Sequence, residues 1–193
     1  MHEHFDQHLN IQKLLRDQQP QLQYVLEIGA GSGENTHLLA REAERMGFHL
    51  TTISDGVCPD FLKGYSSSDH LQWIPGISWV ELPKLQSCLF DFAIVDSDHN
   101  SWTVIQEINE LRFLVRSGGI ITFHDMVSFA STNGDLSGSG YNPNTGHGID
   151  YPSEQIQASR IGYGDAVCKE MGDGWELVKV SLESCGAAAY RKL

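Results

Sequence analysis

Between Leu22 and Ala40 the chain reads LQYVLEIGAGSGENTHLLA, and no other stretch restricts the fold as tightly. An apolar run of Tyr24, Val25, Leu26 and Ile28 stops at Gly29-Ala30-Gly31-Ser32-Gly33 and passes directly into a helical pattern carrying Leu38, Leu39 and Ala40. That order predicts a buried strand, a tight turn and a helix N-terminus. The N–H groups of such a turn and the positive end of the helix dipole face one point, and glycine lets a ligand approach without a Cβ in the way. A nucleotide-like ligand is expected there.

Spacing narrows the choice of nucleotide. In the dinucleotide fingerprint G-x-G-x-x-G, Gly29 and Gly31 fill the first two places but the third falls on Glu34. The chain carries instead Glu27-x-Gly29-x-Gly31-x-Gly33. This pattern resembles the first motif of class I S-adenosyl-L-methionine (SAM)-dependent methyltransferases. The resemblance implies that Gly29, Ala30, Gly31 and Gly33 hold the methionine part of SAM and that Glu27 helps orient its charged end. Electrostatics agree, because a carboxylate beside the turn suits a cationic ligand and opposes a pyrophosphate. The alternative is a strand-to-helix turn that binds nothing.

At 193 residues and 40% hydrophobic content the chain suits one well-buried core, and residues 1–193 read as a single domain. Thirteen basic against 25 acidic residues leave a net charge of −12, and no Lys/Arg cluster exceeds Arg191-Lys192. Free nucleic acid and anionic membrane are therefore poor partners, since both need a basic footprint. The start MHEHFDQHLN has neither a cationic leader nor an apolar segment, and no run approaches the ~18 apolar residues of a membrane span. A cytoplasmic protein is expected. Cys58, Cys88, Cys168 and Cys185 are scattered without a C-x-x-C pair and read as reduced thiols.

Around the glycine turn, the remaining elements follow in order. Phe5, Leu9, Ile11, Leu14 and Leu15 have roughly helical spacing before Pro20, so residues 1–20 read as a helical cap, over the cofactor or merely on the sheet edge. His2, His4 and His8 receive no role. Phe48 to Ser54 alternates and is rich in β-formers, giving a second strand with Asp55 at its carboxyl end. An acid there, about 20 positions past the glycine turn, is placed to accept hydrogen bonds from ribose hydroxyls; an ordinary Asp-Gly turn is the alternative. Leu71 to Ile74 is a short third strand ended by Pro75-Gly76. Methyltransferases of this type usually carry an acid next to meet adenine, whereas this chain has Ile77-Ser78, so Ser78 or the backbone is the expected adenine contact.

The second informative stretch runs from Phe90 to Asp125. Phe92 to Val95 reads as a buried parallel strand ending in Asp96-Ser97-Asp98-His99. A helix over Ser101 to Arg116 follows, closed by Gly118-Gly119, and Gly119 to Phe123 forms a fifth strand ending in His124-Asp125. The run D-F-x-x-V-D-x-D-H, a helix, then G-G-x-I-x-F-H-D resembles the metal-dependent O-methyltransferases, nearest the cephalosporin-hydroxylase-like branch, with catechol-type enzymes more distant. Two adjacent strands deliver Asp96 and His124-Asp125 to one rim of the sheet. The resemblance makes Asp96, His124 and Asp125 ligands of a divalent metal, and one imidazole with two carboxylates suits manganese, iron or zinc as well as magnesium. His99 stands where catechol-type enzymes carry the lysine base, and a histidine near its unperturbed pKa of ~6.5 suits that work. A capping or otherwise structural His99 is the alternative. Asp98 is expected to orient His99 or its loop, and Trp102 to border the cofactor or join the core.

From Met126 to Ile161 the chain is dense in Gly, Ser, Asn, Asp and Pro. This long loop is the expected substrate cover, with Tyr141, His147 and Tyr151 as candidate contacts, or a homodimer contact. Ser153 to Gln157 and Asp165 to Met171 read as helices, and Trp175 to Leu182 and Gly186 to Tyr190 as a closing antiparallel pair. The resemblance implies an α/β Rossmann-like, doubly wound sheet of seven strands, mostly parallel, in the order 3-2-1-4-5-7-6. The leading function is methyl transfer from SAM to a hydroxyl of a small molecule, of sugar or natural-product type, with or without a divalent metal. A non-catalytic nucleotide-binding protein and an NAD-dependent oxidoreductase are the alternatives.

Overall fold

The computed structural model describes residues 10–18, 22–66, 69–85, 89–126, 163–181 and 186–193. Tyr141, His147, Tyr151, the helix expected from Ser153, the N-terminal histidines, Cys88 and the Glu183-Ser184-Cys185 connection lie outside them. The elements are α1 (Ile11–Asp17), β1 (Tyr24–Ile28), α2 (Glu34–Met46), β2 (His49–Ser54), α3 (Lys63–Ser66), β3 (Leu71–Pro75), α4 (Ser78–Glu81), β4 (Phe90–Val95), α5 (Ser101–Leu114), β5 (Val115–His124), α6 (Tyr163–Glu170), β6 (Trp175–Ser181) and β7 (Ala187–Lys192). Short 3₁₀ turns, Asp60–Leu62 and Leu82–Leu85, precede α3 and follow α4.

One sheet of seven strands carries the order 3-2-1-4-5-7-6. β1 to β5 pair in parallel, and β7 enters antiparallel between β5 and β6. Pro75 is tolerated because β3 is an edge strand. Both faces of the parallel part are covered, so β4 is buried along its whole length rather than alternating. On one face Leu26, Ile28, Ala93, Val95 and Ile121 share a core with Val104, Ile108 and Leu111 of α5 and Val167 of α6. On the other, Val25, Leu50, Phe92 and Ile94 share one with Leu39, Ala40 and Ala43 of α2. Ile11, Leu14 and Leu15 join this second core, so the described part of the leading helix is a packing element. Truncating a fully buried member such as Leu15 or Phe92 to alanine costs about 2–5 kcal/mol.

Three expectations from the sequence are corrected. Leu38 does not share the buried stripe of α2 but is exposed, and Thr36 takes the inward place. α5 stops at Leu114, and Gly118-Gly119 does not cap it: the β-branched Val115 is already extended and pairs with Phe90. The two glycines sit instead in the irregular stretch before Ile120 pairs with Phe92. Gly118 has a φ of 81°, and a Cβ on Gly119 would come within 2.8 Å of Val115 Cγ1 and 2.9 Å of the Arg116 carbonyl oxygen. The third shift is at α6, which starts two residues earlier than the sequence pattern suggests, at Tyr163.

Candidate active site

The carboxyl ends of the central strands are brought level by backbone bonds past the strands themselves. Gly29 N–H donates to the Ile53 carbonyl (2.9 Å), Asp96 N–H to Ile28 (2.9 Å) and Gly76 N–H to Ser54 (2.9 Å). The glycine turn rises from this rim with Gly29, Gly31 and Gly33 at φ of 87°, 50° and 85°, a region that favours glycine. The three glycines differ in what surrounds them. A Cβ on Gly29 would lie 1.9 Å from the Asp96 carbonyl oxygen, so the turn packs directly on the start of the β4–α5 loop. One on Gly33 would press on Pro59 and Leu62, placing that turn beside the helix start. Beside Gly31 no atom of the described residues comes within 4 Å, and Gly31 and Ser32 are exposed. Gly33 is also the N-cap of α2 and supplies no side chain, leaving first-turn N–H groups for a ligand. This open cradle fits the carboxylate end of an amino-acid-bearing nucleotide.

Beneath it Glu27 is buried, its Oε2 accepting from Thr36 Oγ1 of α2 (2.7 Å) and Thr52 Oγ1 of β2 (2.9 Å). Burial pushes its carboxyl up to about 7 despite those two bonds. Thr36 and Thr52 are absent from the sequence expectations because only the tertiary fold aims them at Glu27. Asp55 is exposed at the end of β2, as a ribose ligand must be. Ser78 departs from expectation: it is buried, and its hydroxyl donates to Glu107 Oε1 at 2.5 Å. The Ser78 hydroxyl is thus spent on a bond within the protein.

Glu107 itself was legible only in part. Helical spacing puts it on the same stripe as Val104, Ile108 and Leu111, an unusual place for an acid. It is fully buried, bonded to Ser78 of α4 and to Ser97 Oγ (3.0 Å) after β4, and burial pushes its carboxyl up to about 8. Asp98 orders the loop as expected, accepting from Asn100 N–H (3.2 Å) and Thr103 Oγ1 (3.0 Å), and burial raises it to about 6. Asn100, not His99, caps α5 by accepting from the N–H groups of Trp102 and Thr103. Trp102 is half-buried, edge-on to Trp79 at 5.4 Å.

His99 is therefore free of a capping duty and turns to the rim. Asp96, His99, His124 and Asp125 converge, with one donor atom from each lying within 4.8 Å of all the others. His99 Nε2 stands 3.1 Å from Asp96 Oδ1 and 3.0 Å from Asp125 Oδ2; His124 Nδ1 stands 3.3 Å from Asp96 Oδ1 and 3.4 Å from Asp125 Oδ1. His99 and Asp125 are both non-glycine residues in the left-handed region, at φ of 53° and 56°, a conformation that stores strain at sites where side chains must be aimed. Burial works against every charge here and is outweighed. Hydrogen bonds from His124 and His99, with their charges, hold Asp96 well below the usual carboxylate range. Bonds to Asp125 and Asp96 raise His124 to about 9, and the bond and charge of Asp96, with Asp125 and Asp98, raise His99. His99 is thus not an imidazole of ordinary basicity, as the sequence suggested, but one flanked by two carboxylates. Two imidazoles and two carboxylates form a donor set that fits a divalent metal.

A glycine cradle over a buried acid, at the carboxyl ends of a doubly wound sheet, defines a nucleotide-cofactor site of the class I methyltransferase type. Residues 26–126, just over half of the chain, match the family model described as a methyltransferase domain, and the chain belongs to that family of SAM-dependent enzymes. No curated protein matches it in sequence. Its fold is shared with a protein from Staphylococcus aureus assigned as a caffeoyl-CoA O-methyltransferase (TM-score 0.65, 15% identity, covering 95% of this chain and 81% of that one). It is shared too with the MycE methyltransferase of the mycinamycin biosynthetic pathway, whose structure holds Mg, SAH and mycinamycin VI (0.61, 19%, 95% and 48%). A third is the N-methyltransferase NodS from Bradyrhizobium japonicum (0.57, 17%, 97% and 94%). These neighbours include both O- and N-methyltransferases, so the fold alone leaves the acceptor atom open. Among the described residues no helix is long and apolar enough to cross a membrane.

Proposed function

We propose that this methyltransferase moves the methyl group of SAM to a hydroxyl of a small molecule, of sugar or natural-product type, with a divalent ion assisting. The observation that carries the reading is the abutment of the glycine turn on Asp96, which sets the cofactor cradle against the His–Asp cluster. Glu27, Gly29, Ala30, Gly31 and Gly33 hold the methionine part, and Asp55 the ribose. The adenine rests beside Ile77 and Ser78. SAM supplies an electrophilic methyl on a sulfonium; the acceptor oxygen bonds to that carbon as the sulfur–carbon bond breaks and SAH leaves. An ion held by Asp96, His124 and Asp125 would supply the Lewis acidity that lowers the pKa of the acceptor hydroxyl.

The chain's own residues do the rest. Asp96 stays ionised through the neutral range and fixes the positions of both histidines. The acceptor hydroxyl, once acidified by such an ion, loses its proton to solvent at the rim as the new bond forms. A hydroxyl gives up its proton far less readily than an ammonium does, so it gains more from an ion's Lewis acidity, which is why a hydroxyl is favoured.

The test is calorimetric titration of SAM into chelator-treated protein, followed by labelled-methyl transfer to a panel of hydroxylated and amine acceptors with and without Mn²⁺ or Mg²⁺. SAM binding without metal and metal-dependent transfer to a hydroxyl are expected. Absence of SAM binding, or transfer confined to amines and indifferent to chelator, would overturn the proposal.

A further inference from the structure

His99 is the residue the reaction scheme uses least well. Its Nε2 lies inside the donor cluster, 3.1 Å from Asp96 Oδ1 and 3.0 Å from Asp125 Oδ2, so the atom that would meet an acceptor proton already faces two carboxylates. The distances suit a different task. Two donors at right angles, each about 2.1 Å from one divalent ion, are separated by about 3.0 Å. The observed separations of 3.0, 3.1, 3.3 and 3.4 Å run from that value upwards and include both contacts of His99. One donor atom from each of the four side chains lies within 4.8 Å of all the others, close enough for small side-chain shifts to bring the four into one coordination shell.

A second observation comes from α6. Tyr163 is fully buried, with its ring edge-on to His99 at 5.4 Å. Its hydroxyl lies in the field of Glu107 first and then of Asp96, Asp125 and Asp98, and it has no hydrogen-bond partner among the described residues. Buried phenols rarely go without one, so a group bound beside His99, such as an ion's water or the acceptor oxygen, would complete it.

We infer that His99 is a fourth metal ligand rather than a free base, making the centre a two-imidazole, two-carboxylate site that selects a first-row transition ion over magnesium. Magnesium favours an all-oxygen shell and gains little from imidazole, whereas manganese, iron, cobalt and zinc accept mixed nitrogen and oxygen donors. Four protein donors in an octahedral shell leave two positions for an acceptor presenting two adjacent oxygens, such as a vicinal diol. The inference rests on the metal-assisted reading of the transfer site and adds to it the ion class and the role of His99.

Binding of Co²⁺, Mn²⁺ and Mg²⁺ to the chelator-treated full chain tests this without any turnover. The expected result is at least 100-fold tighter binding of Co²⁺ than of Mg²⁺. His99→Ala should then weaken Co²⁺ at least tenfold and shift its visible absorption, with SAM affinity unchanged within threefold. Electron spin echo modulation of the Mn²⁺-loaded wild-type chain counts coordinated imidazoles even where the variant does not fold. Two imidazoles are expected. A count of one, equal affinity for Mg²⁺ and Co²⁺, or no ion binding at all overturns the inference. SAM titration in the same preparations separates that failure from failure of the methyltransferase reading, which alone would abolish SAM binding.

Discussion

Replacing Glu107 by glutamine should flatten the pH dependence of stability on the alkaline side of pH 5. The carboxyl is fully buried between Ser78 and Ser97, and burial lifts it from 4.5 to about 8. Below pH 4.5 it is neutral in both folded and unfolded chains and contributes no pH dependence. As pH rises from 4.5 towards 8 the unfolded chain ionises while the folded chain keeps its proton, so the native state binds more protons and stability falls. Above about 8 both are ionised and the loss is complete. At about 1.4 kcal/mol per unit the full separation is worth about 5 kcal/mol, of which roughly 3 kcal/mol falls between pH 5 and pH 8. Glutamine keeps the shape and both bonds, accepting from Ser78 and donating to Ser97, but cannot ionise. Urea unfolding of wild type and Glu107→Gln at pH 5, 6, 7 and 8 measures the difference directly, and the Glu27 contribution cancels because both chains share it. The variant should gain on the wild type steadily with pH. A difference that changes by less than about 1 kcal/mol across that range, beyond the extrapolation error of such curves, would refute the assignment of Glu107 as a buried neutral acid.

Three further outcomes follow from the rim of the sheet. Gly29→Ala, with φ of 87° and a Cβ placed 1.9 Å from the Asp96 carbonyl oxygen, should cost at least about 3 kcal/mol in urea unfolding. Gly31→Ala, which meets no atom of the described residues within 4 Å, should cost only the backbone strain of about 1–2 kcal/mol, so equal losses would contradict the packing described. Thr52→Val leaves Glu27 with Thr36 as its hydroxyl donor; about 1–3 kcal/mol of destabilisation is expected, with the Glu27 carboxyl titrating above about 7 by NMR. Asp96→Ala should lower methyl transfer far more than it lowers SAM affinity, measured by initial rates and calorimetry, and equal losses in both would make Asp96 part of the cofactor pocket alone.

Much of this molecule was already determined by local pattern. The strand, the glycine turn and the helix over Leu22 to Ala40 are specified by residues next to one another in sequence, and the resemblance carried by that turn and by the two acidic strand ends implied the sheet order. Asp96, His124 and Asp125 were legible for the same reason: parallel strands place their carboxyl ends on one rim, so position in sequence translates into position in space. Tertiary structure alone decided the partners. Thr36 and Thr52 lie 9 and 25 residues from Glu27, and Ser78 lies 29 from Glu107, separations at which no periodicity reports a contact. His99 was visible as a histidine near Asp96, but its place between two carboxylates depends on a left-handed backbone at His99 and Asp125, which His and Asp tolerate better than most residues but which no local pattern dictates. Side chains that face each other across strands and helices acquire their chemistry from burial and from one another, and both exist only once the chain has folded.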